Sequence, residues 1–253
     1  MIMTELVTKL GRNDAKLIGR DSFLIFMFVY AAIIALVLRV GMPWLNNYLI
    51  DAGIMPGDNI PIRLADVFPM LMAYFAMFAG SLLVGTVFGF MLLDEKDQNT
   101  LRAMLITPVP LNKYVAYRIG MSTVFGFVIV LGMFLIINQA VLPLWQMILI
   151  AAGSSLAAPI VTLFFAVFAE NKVQGFAYSK FVGISGMFIM FGWFIPAPWQ
   201  WLCGVFPPFW VAKAYWLALD GSSWWWLVLL VGIVLELAMI AWFIRRFNTV
   251  AYR

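Results

Sequence analysis

The chain has 253 residues, 64% hydrophobic and only 11% charged, with mean hydropathy +0.98 and net charge +4. Several apolar runs exceed the roughly 18 residues that a membrane span needs, so composition excludes a soluble domain and points to an integral membrane protein. One cysteine, Cys203, excludes a disulfide framework within the chain, and without histidine no zinc, haem or other metal site is expected.

At about 100° per residue, Met3, Leu6, Val7, Leu10, Leu17 and Ile18 share one side of a helix over residues 3–20. Lys9, Arg12, Lys16 and Arg20 take the other side, and Asp14 alone falls among the apolar positions. Such a basic amphipathic helix suits the surface of an anionic bilayer, and residues 1–22 are assigned to it. No uninterrupted apolar core precedes Ser22 and no small-residue cleavage site follows, so a signal peptide is not expected.

The first span is predicted over residues 23–40, with Gly41, Pro43 and residues 51–61 forming a loop on the far side. The second covers 66–93, and on it Ser81, Gly85 and Gly89 recur at every fourth position. That small-xxx-small stripe lets another helix approach closely, expected here to be one of the same chain.

A charged, turn-rich segment follows, assigned to residues 94–114. Asp94, Glu95, Lys96 and Asp97 end the apolar helix, and Asn99 and Thr100 read as a turn and helix start. Leu101, Met104 and Leu105 then give a short amphipathic helix. Thr107, Pro108 and Pro110 stop it, because proline lacks the amide donor and biases its predecessor away from helix. Lys113 and Arg118 introduce the third span, over 115–137, and a very short connection at 138–144 leads to a fourth over 142–170, where Pro159 is expected to kink the helix. The fifth span is placed at 178–195. Residues 196–223, rich in tryptophan and broken by Pro207 and Pro208, are too interrupted to span and read as two short helices dipping into the outer leaflet. Residues 224–244 make the sixth span.

In this arrangement thirteen of the 16 basic residues face one side, and only Arg39, Arg63 and Lys213 face the other. The positive-inside rule puts both termini of this multi-pass protein in the cytoplasm, and a bacterial or archaeal cell membrane is the expected location. Topology thus accounts for the basic excess, and no nucleic-acid partner is expected. Trp44, Trp145, Trp199, Trp201, Trp210, Trp216 and residues 224–226 would form an aromatic belt on the outer face.

The order acid, base, acid, turn residue, Thr100-Leu101, short helix, Thr107-Pro108-Val109 resembles the cytoplasmic coupling segment of type-2 ATP-binding-cassette (ABC) export permeases. That family usually has glycine where this chain has Asn99. Residues 169–180, AENKVQGFAYSK, are similar to its second cytoplasmic loop, and the interrupted 196–223 stretch to its re-entrant hairpin. The chain as a whole looks most like small stand-alone drug-exporter permeases, including fluoroquinolone-type ones. The resemblance implies an all-α polytopic fold, with residues 23–253 forming a six-helix permease domain. It implies ATPase coupling through Glu95, Asp97, Thr100, Leu101, Met104, Leu105, Thr107 and Pro108. It also implies a substrate cavity drawing on Phe75, Met77, Phe78, Phe181, Met187, Phe188 and Phe191 of the second and fifth spans, for a hydrophobic or amphipathic, drug-like molecule.

The chain has no G-x-x-x-x-G-K-[ST] stretch to cradle phosphates. In such an exporter ATP and Mg would sit on a separate ATPase subunit, this chain would be no enzyme and carry no cofactor, and the pathway would lie between two permeases, identical or sister subunits. Lipid, peptide and polysaccharide exporters share the plan.

Glu236 is the one acid inside a span, where a carboxyl is expensive and marks function or a buried partner. A bond to Ser185 or an approach by Lys180 is the structural expectation. Substrate contact by Glu236 is one functional alternative, and a proton-coupled secondary transporter using Glu236 the other, the latter opposed by the lack of an internal repeat or a second intramembrane acid.

Overall fold

A computed structural model describes residues 3–52, 64–98 and 111–251. Helix α1 covers Met3–Arg20, and Asp21 separates it from α2, because its carboxylate accepts from the amides of Phe23 (2.9 Å) and Leu24, the usual work of an N-cap. Then come α2 (Ser22–Asp51), α3 (Phe68–Asp97), α4 (Leu111–Ile137), α5 (Leu144–Phe168) and α6 (Lys172–Phe194). A 3-10 turn at Trp199–Val205 and helix α7 (Pro208–Leu219) precede α8 (Trp225–Ala251). The described residues contain no strand, and α2 to α6 with α8 are six helices long and apolar enough to cross a membrane.

Three boundaries differ from expectation. The first span does not end at Gly41 but continues to Asp51. A π-turn over Val37–Gly41 absorbs the change of register, and Pro43 enters in the first turn of the next stretch, where a missing amide is tolerated. The fifth starts at Lys172 and not at Tyr178, since the Asn171 side chain accepts from the Gln174 amide at 3.0 Å and caps it. The last helix runs past residue 244 to Ala251, carrying Arg245 and Arg246 with it.

Helix α3 is the axis of the bundle. Its apolar stretch is 89% buried and that of α5 72%, against 22–33% for α2, α4, α6 and α8, so the α3–α5 contact is the core and the others wrap it. The Ser81-Gly85-Gly89 stripe makes this contact, within the chain as expected. A Cβ on Gly85 would lie 2.5 Å from the Ala158 carbonyl, and one on Gly89 2.5 Å from the Phe165 ring. Ser81 Oγ donates to the Ser154 carbonyl at 2.8 Å, and Thr162 Oγ1 to the Gly85 carbonyl at 3.1 Å. Glycine brings the two backbones within reach of these bonds.

Helix α5 is interrupted at Leu156, three residues before Pro159. Proline supplies no amide to the Ser155 carbonyl and crowds it, and the Leu156 amide turns to Gly153 O instead. The helix is thus interrupted one turn before Pro159, where a kink was expected. At one end of the bundle Tyr215 Oη donates to Ala140 O (2.7 Å), Trp216 Nε1 to Pro69 O (3.1 Å) and Arg39 Nη1 to Ile136 O (2.6 Å). The first two bonds seat α7 against the α4–α5 connection, where Asn138 and Ala140 both take positive φ, and against the start of α3, while the third ties α2 to the end of α4. The opposite end holds Asp94–Asp97 and the starts of α2, α4 and α6.

Candidate functional site

Residues 99–110 join α3 to α4, and the helix ends they connect are locked together by buried charge. Arg118, 1% exposed near the start of α4, is the hub. Its Nη1 pairs with Asp14 Oδ2 of α1 at 2.9 Å, its Nη2 pairs with Glu95 of α3, and its Nε donates to Tyr114 Oη at 2.7 Å. Tyr114 in turn donates to the other Glu95 oxygen, and Tyr117 to Asp14 Oδ2 at 2.7 Å. A guanidinium offers five donors in a rigid fork, so it can bridge two carboxylates from different helices.

Outside this hub, Lys172 of α6 pairs with Asp94 at 2.7 Å and approaches Asp21 at 3.9 Å. Lys96 Nζ donates to the carbonyls of Ala166 and Ala169, closing the last turn of α5, where a cation also meets the negative end of the helix dipole. The charged end is thus one tied unit of α1, α3, α4, α5 and α6.

Of the residues expected to couple to an ATPase, Glu95 belongs to this unit and Asp97 is exposed at the end of α3. Thr100, Leu101, Met104, Leu105, Thr107 and Pro108 lie outside the described residues. Sequence reasoning missed Tyr114, Tyr117 and the buried roles of Asp14 and Arg118. The available signal was Asp14 itself, an acid on the apolar side of α1.

A second feature is an apolar cavity of about 280 Å³. Phe78 of α3, Val161 and Phe164 of α5, Phe181 of α6, Pro208 of α7 and Phe243 of α8 are among its walls. Phe78 and Phe181, both named for a substrate cavity, line it. Phe75, Met187, Phe188 and Phe191 stand outside its lining, Phe188 stacking instead on Phe206 with centroids 5.9 Å apart. The walls from α5, α7 and α8 were not anticipated, because an apolar side chain on a membrane helix has the same composition whether it faces lipid, core or cavity.

Phe78 keeps its place because Gly186, at the break in α6, has no side chain. A Cβ there would come 2.3 Å from the Phe78 ring and 2.9 Å from Tyr74. Gly186→Ala is expected to push Phe78 and destabilise the protein by about 1–3 kcal/mol, as overpacking does. Thermal melting of the purified protein reads this, and Phe78→Leu in the same chain should restore much of the loss.

Behind Phe78 lies a smaller cavity of about 10 Å³, which shares Phe78, Ala157 and Pro208 with the larger one and is also lined by Met77, Ser154 and Glu236. Glu236 is fully buried, and among the described residues neither of its oxygens nor Ser154 Oγ has a hydrogen-bond partner. The expected neighbours are elsewhere: Ser185 Oγ donates to Val182 O at 2.6 Å, and Lys180 is exposed.

A family profile described as "Fluoroquinolones export permease protein Rv2686c-like" matches residues 14–244. The chain is 30% identical over 243 residues to the fluoroquinolones export permease protein Rv2686c of Mycobacterium tuberculosis (strain ATCC 25618 / H37Rv), covering 94% of this chain and 92% of the relative. The protein MT2760 of strain CDC 1551 / Oshkosh, of the same description, matches to the same extent. No solved structure matches.

Proposed function

This chain belongs to the family of Rv2686c-like fluoroquinolone export permease proteins, and on that footing we propose that it is the membrane-spanning permease of an ATP-driven ABC exporter. The observation that carries the coupling is the buried Asp14–Arg118–Glu95 cluster. It fastens both helices flanking residues 99–110 to each other and to α1, so a push on that segment moves α3 and α4 as one body. In this reading the charged end faces the cytoplasm, α1 lies on the inner membrane surface and the Trp199–Leu219 hairpin sits in the outer leaflet. The asymmetry of basic residues supports that orientation.

ATP and Mg are then bound by a separate ATPase subunit, whose closure displaces residues 101–108. Contacts there must differ between open and closed ATPase, since a ligand shifts an equilibrium only by its differential affinity. Two permeases form the pathway, and the cargo is a hydrophobic or amphipathic molecule of the kind the relatives' name indicates, held in the apolar cavity behind Phe181.

Mild extraction of the tagged protein from its native membrane, followed by mass spectrometry, tests this. A stoichiometric soluble subunit with a phosphate-binding loop is expected to co-purify, and vesicles holding both should export substrate only with ATP. A chain that purifies alone and moves solute without ATP would overturn the proposal in favour of proton coupling through Glu236.

A further inference from the structure

Two buried polar side chains that have no hydrogen-bond partner among the described residues share one small cavity, and that cavity adjoins the apolar pocket. Native proteins rarely leave such groups unpaired, and each exception asks for an explanation. Glu236 and Ser154 come from α8 and α5, and both border the 10 Å³ space behind Phe78. Among the described residues no lysine or arginine lines either cavity, so the carboxyl has no cationic neighbour among these wall residues.

Taking the export reading as given, we propose that Glu236 and Ser154 form a polar head subsite of the pocket that accepts a primary or secondary amine carried on a flat, apolar ligand. Size supports an amine, because about 10 Å³ is room for roughly one water-sized group, and a –NH₃⁺ or –NH₂⁺– group is of that scale. Chemistry supports it too. A carboxyl oxygen and a hydroxyl oxygen accept N–H bonds, and the Phe78 ring at the partition is suited to a neighbouring cation. An anionic head would find no lysine or arginine among the described residues of these walls to balance its charge. A bare metal cation would find three oxygens on two side chains, where hard cations take six or more.

The geometry also explains why the ligand's body must be apolar. The larger cavity is walled by phenylalanine, valine, isoleucine, alanine, methionine and proline, with Ser185 the one polar side chain among the described residues of its lining, and Ser185 already donates to Val182 O. Phe78, Ala157 and Pro208 line both spaces, so a ligand lying in the larger one has only these side chains between it and the walls that carry the carboxyl. Glu236 is then a specificity-determining residue and need not carry protons for transport.

The test uses the full chain in phosphatidylcholine nanodiscs with two probes of one shape, 2-(aminomethyl)naphthalene and 2-ethylnaphthalene. Binding is read by equilibrium dialysis, subtracting uptake by empty nanodiscs. Wild type is expected to hold the amine about tenfold or more tightly than its neutral twin, the scale of a hydrogen bond to a charged group. Glu236→Gln should shrink that advantage to within about twofold, and Ser154→Ala should reduce it. If the neutral probe binds and the amine gains nothing, the subsite is wrong while the pocket stands. Failure of both probes to bind wild type overturns subsite and pocket together. Should Glu236→Gln fail to fold, an undiminished preference in Ser154→Ala overturns the proposal.

Discussion

Replacing Arg118 with methionine is expected to lower stability by about 3–5 kcal/mol, the usual effect of removing one partner from a buried ion pair. Asp14 and Glu95 would be left facing each other in a site where the guanidinium is only 1% exposed and Tyr114 Oη would lose its Arg118 donor. Tryptophan fluorescence during thermal unfolding in detergent reads the loss. Transport should fall further than stability alone predicts, because α1 would keep only the Tyr117–Asp14 bond to α4 and lose its charged link to the helices flanking residues 99–110. Adding Asp14→Asn and Glu95→Gln should recover much of the melting temperature but not the transport. An Arg118→Met protein that melts like wild type would mean that the cluster contributes nothing.

The second large effect is expected at Gly85. Alanine there would place a carbon 2.5 Å from the Ala158 carbonyl oxygen and 2.7 Å from Val161 Cβ. Neither is the free end of a flexible chain, so α3 and α5 must move apart. Separation stretches both the Thr162–Gly85 and Ser81–Ser154 hydrogen bonds, adding to the 1–3 kcal/mol or so that overpacking typically costs. Gly132→Ala is the matched control. A Cβ there meets nothing within 4 Å, and losing a helical glycine favours the folded state by about 0.5–1 kcal/mol. The two alanine variants should therefore shift the melting temperature in opposite directions.

Much of this fold was legible because lipid imposes a simple grammar: length, hydropathy and breakers place six helices. The Ser81-Gly85-Gly89 spacing identified the central contact, and Pro159 the interruption of α5. Misplaced ends came from local chemistry that hydropathy does not see, namely the Asn171 cap and the π-turn that carries α2 through Pro43. The charged cluster was half visible. Asp14 was conspicuous as an acid on an apolar stripe and Arg118 was counted as a topological charge, but their meeting, 104 residues apart in sequence, depends on how α1 packs against α4. Pocket walls on α5, α7 and α8 were hidden for a different reason: within an apolar helix, nothing in the residue type distinguishes cavity from lipid.

The glycine stripe also has a consequence in time. Its partner bonds span 73 and 77 positions in sequence, and the chain between them must be made before the contact can close. At the usual 5–20 residues per second of synthesis, that interval is roughly 4–15 s. During it α3 is complete while its groove at Gly85 and Gly89 still lacks α5, and α4 must already have been delivered alongside. The most buried helix of the finished protein is therefore, while the chain is being born, without the neighbour that buries it for several seconds.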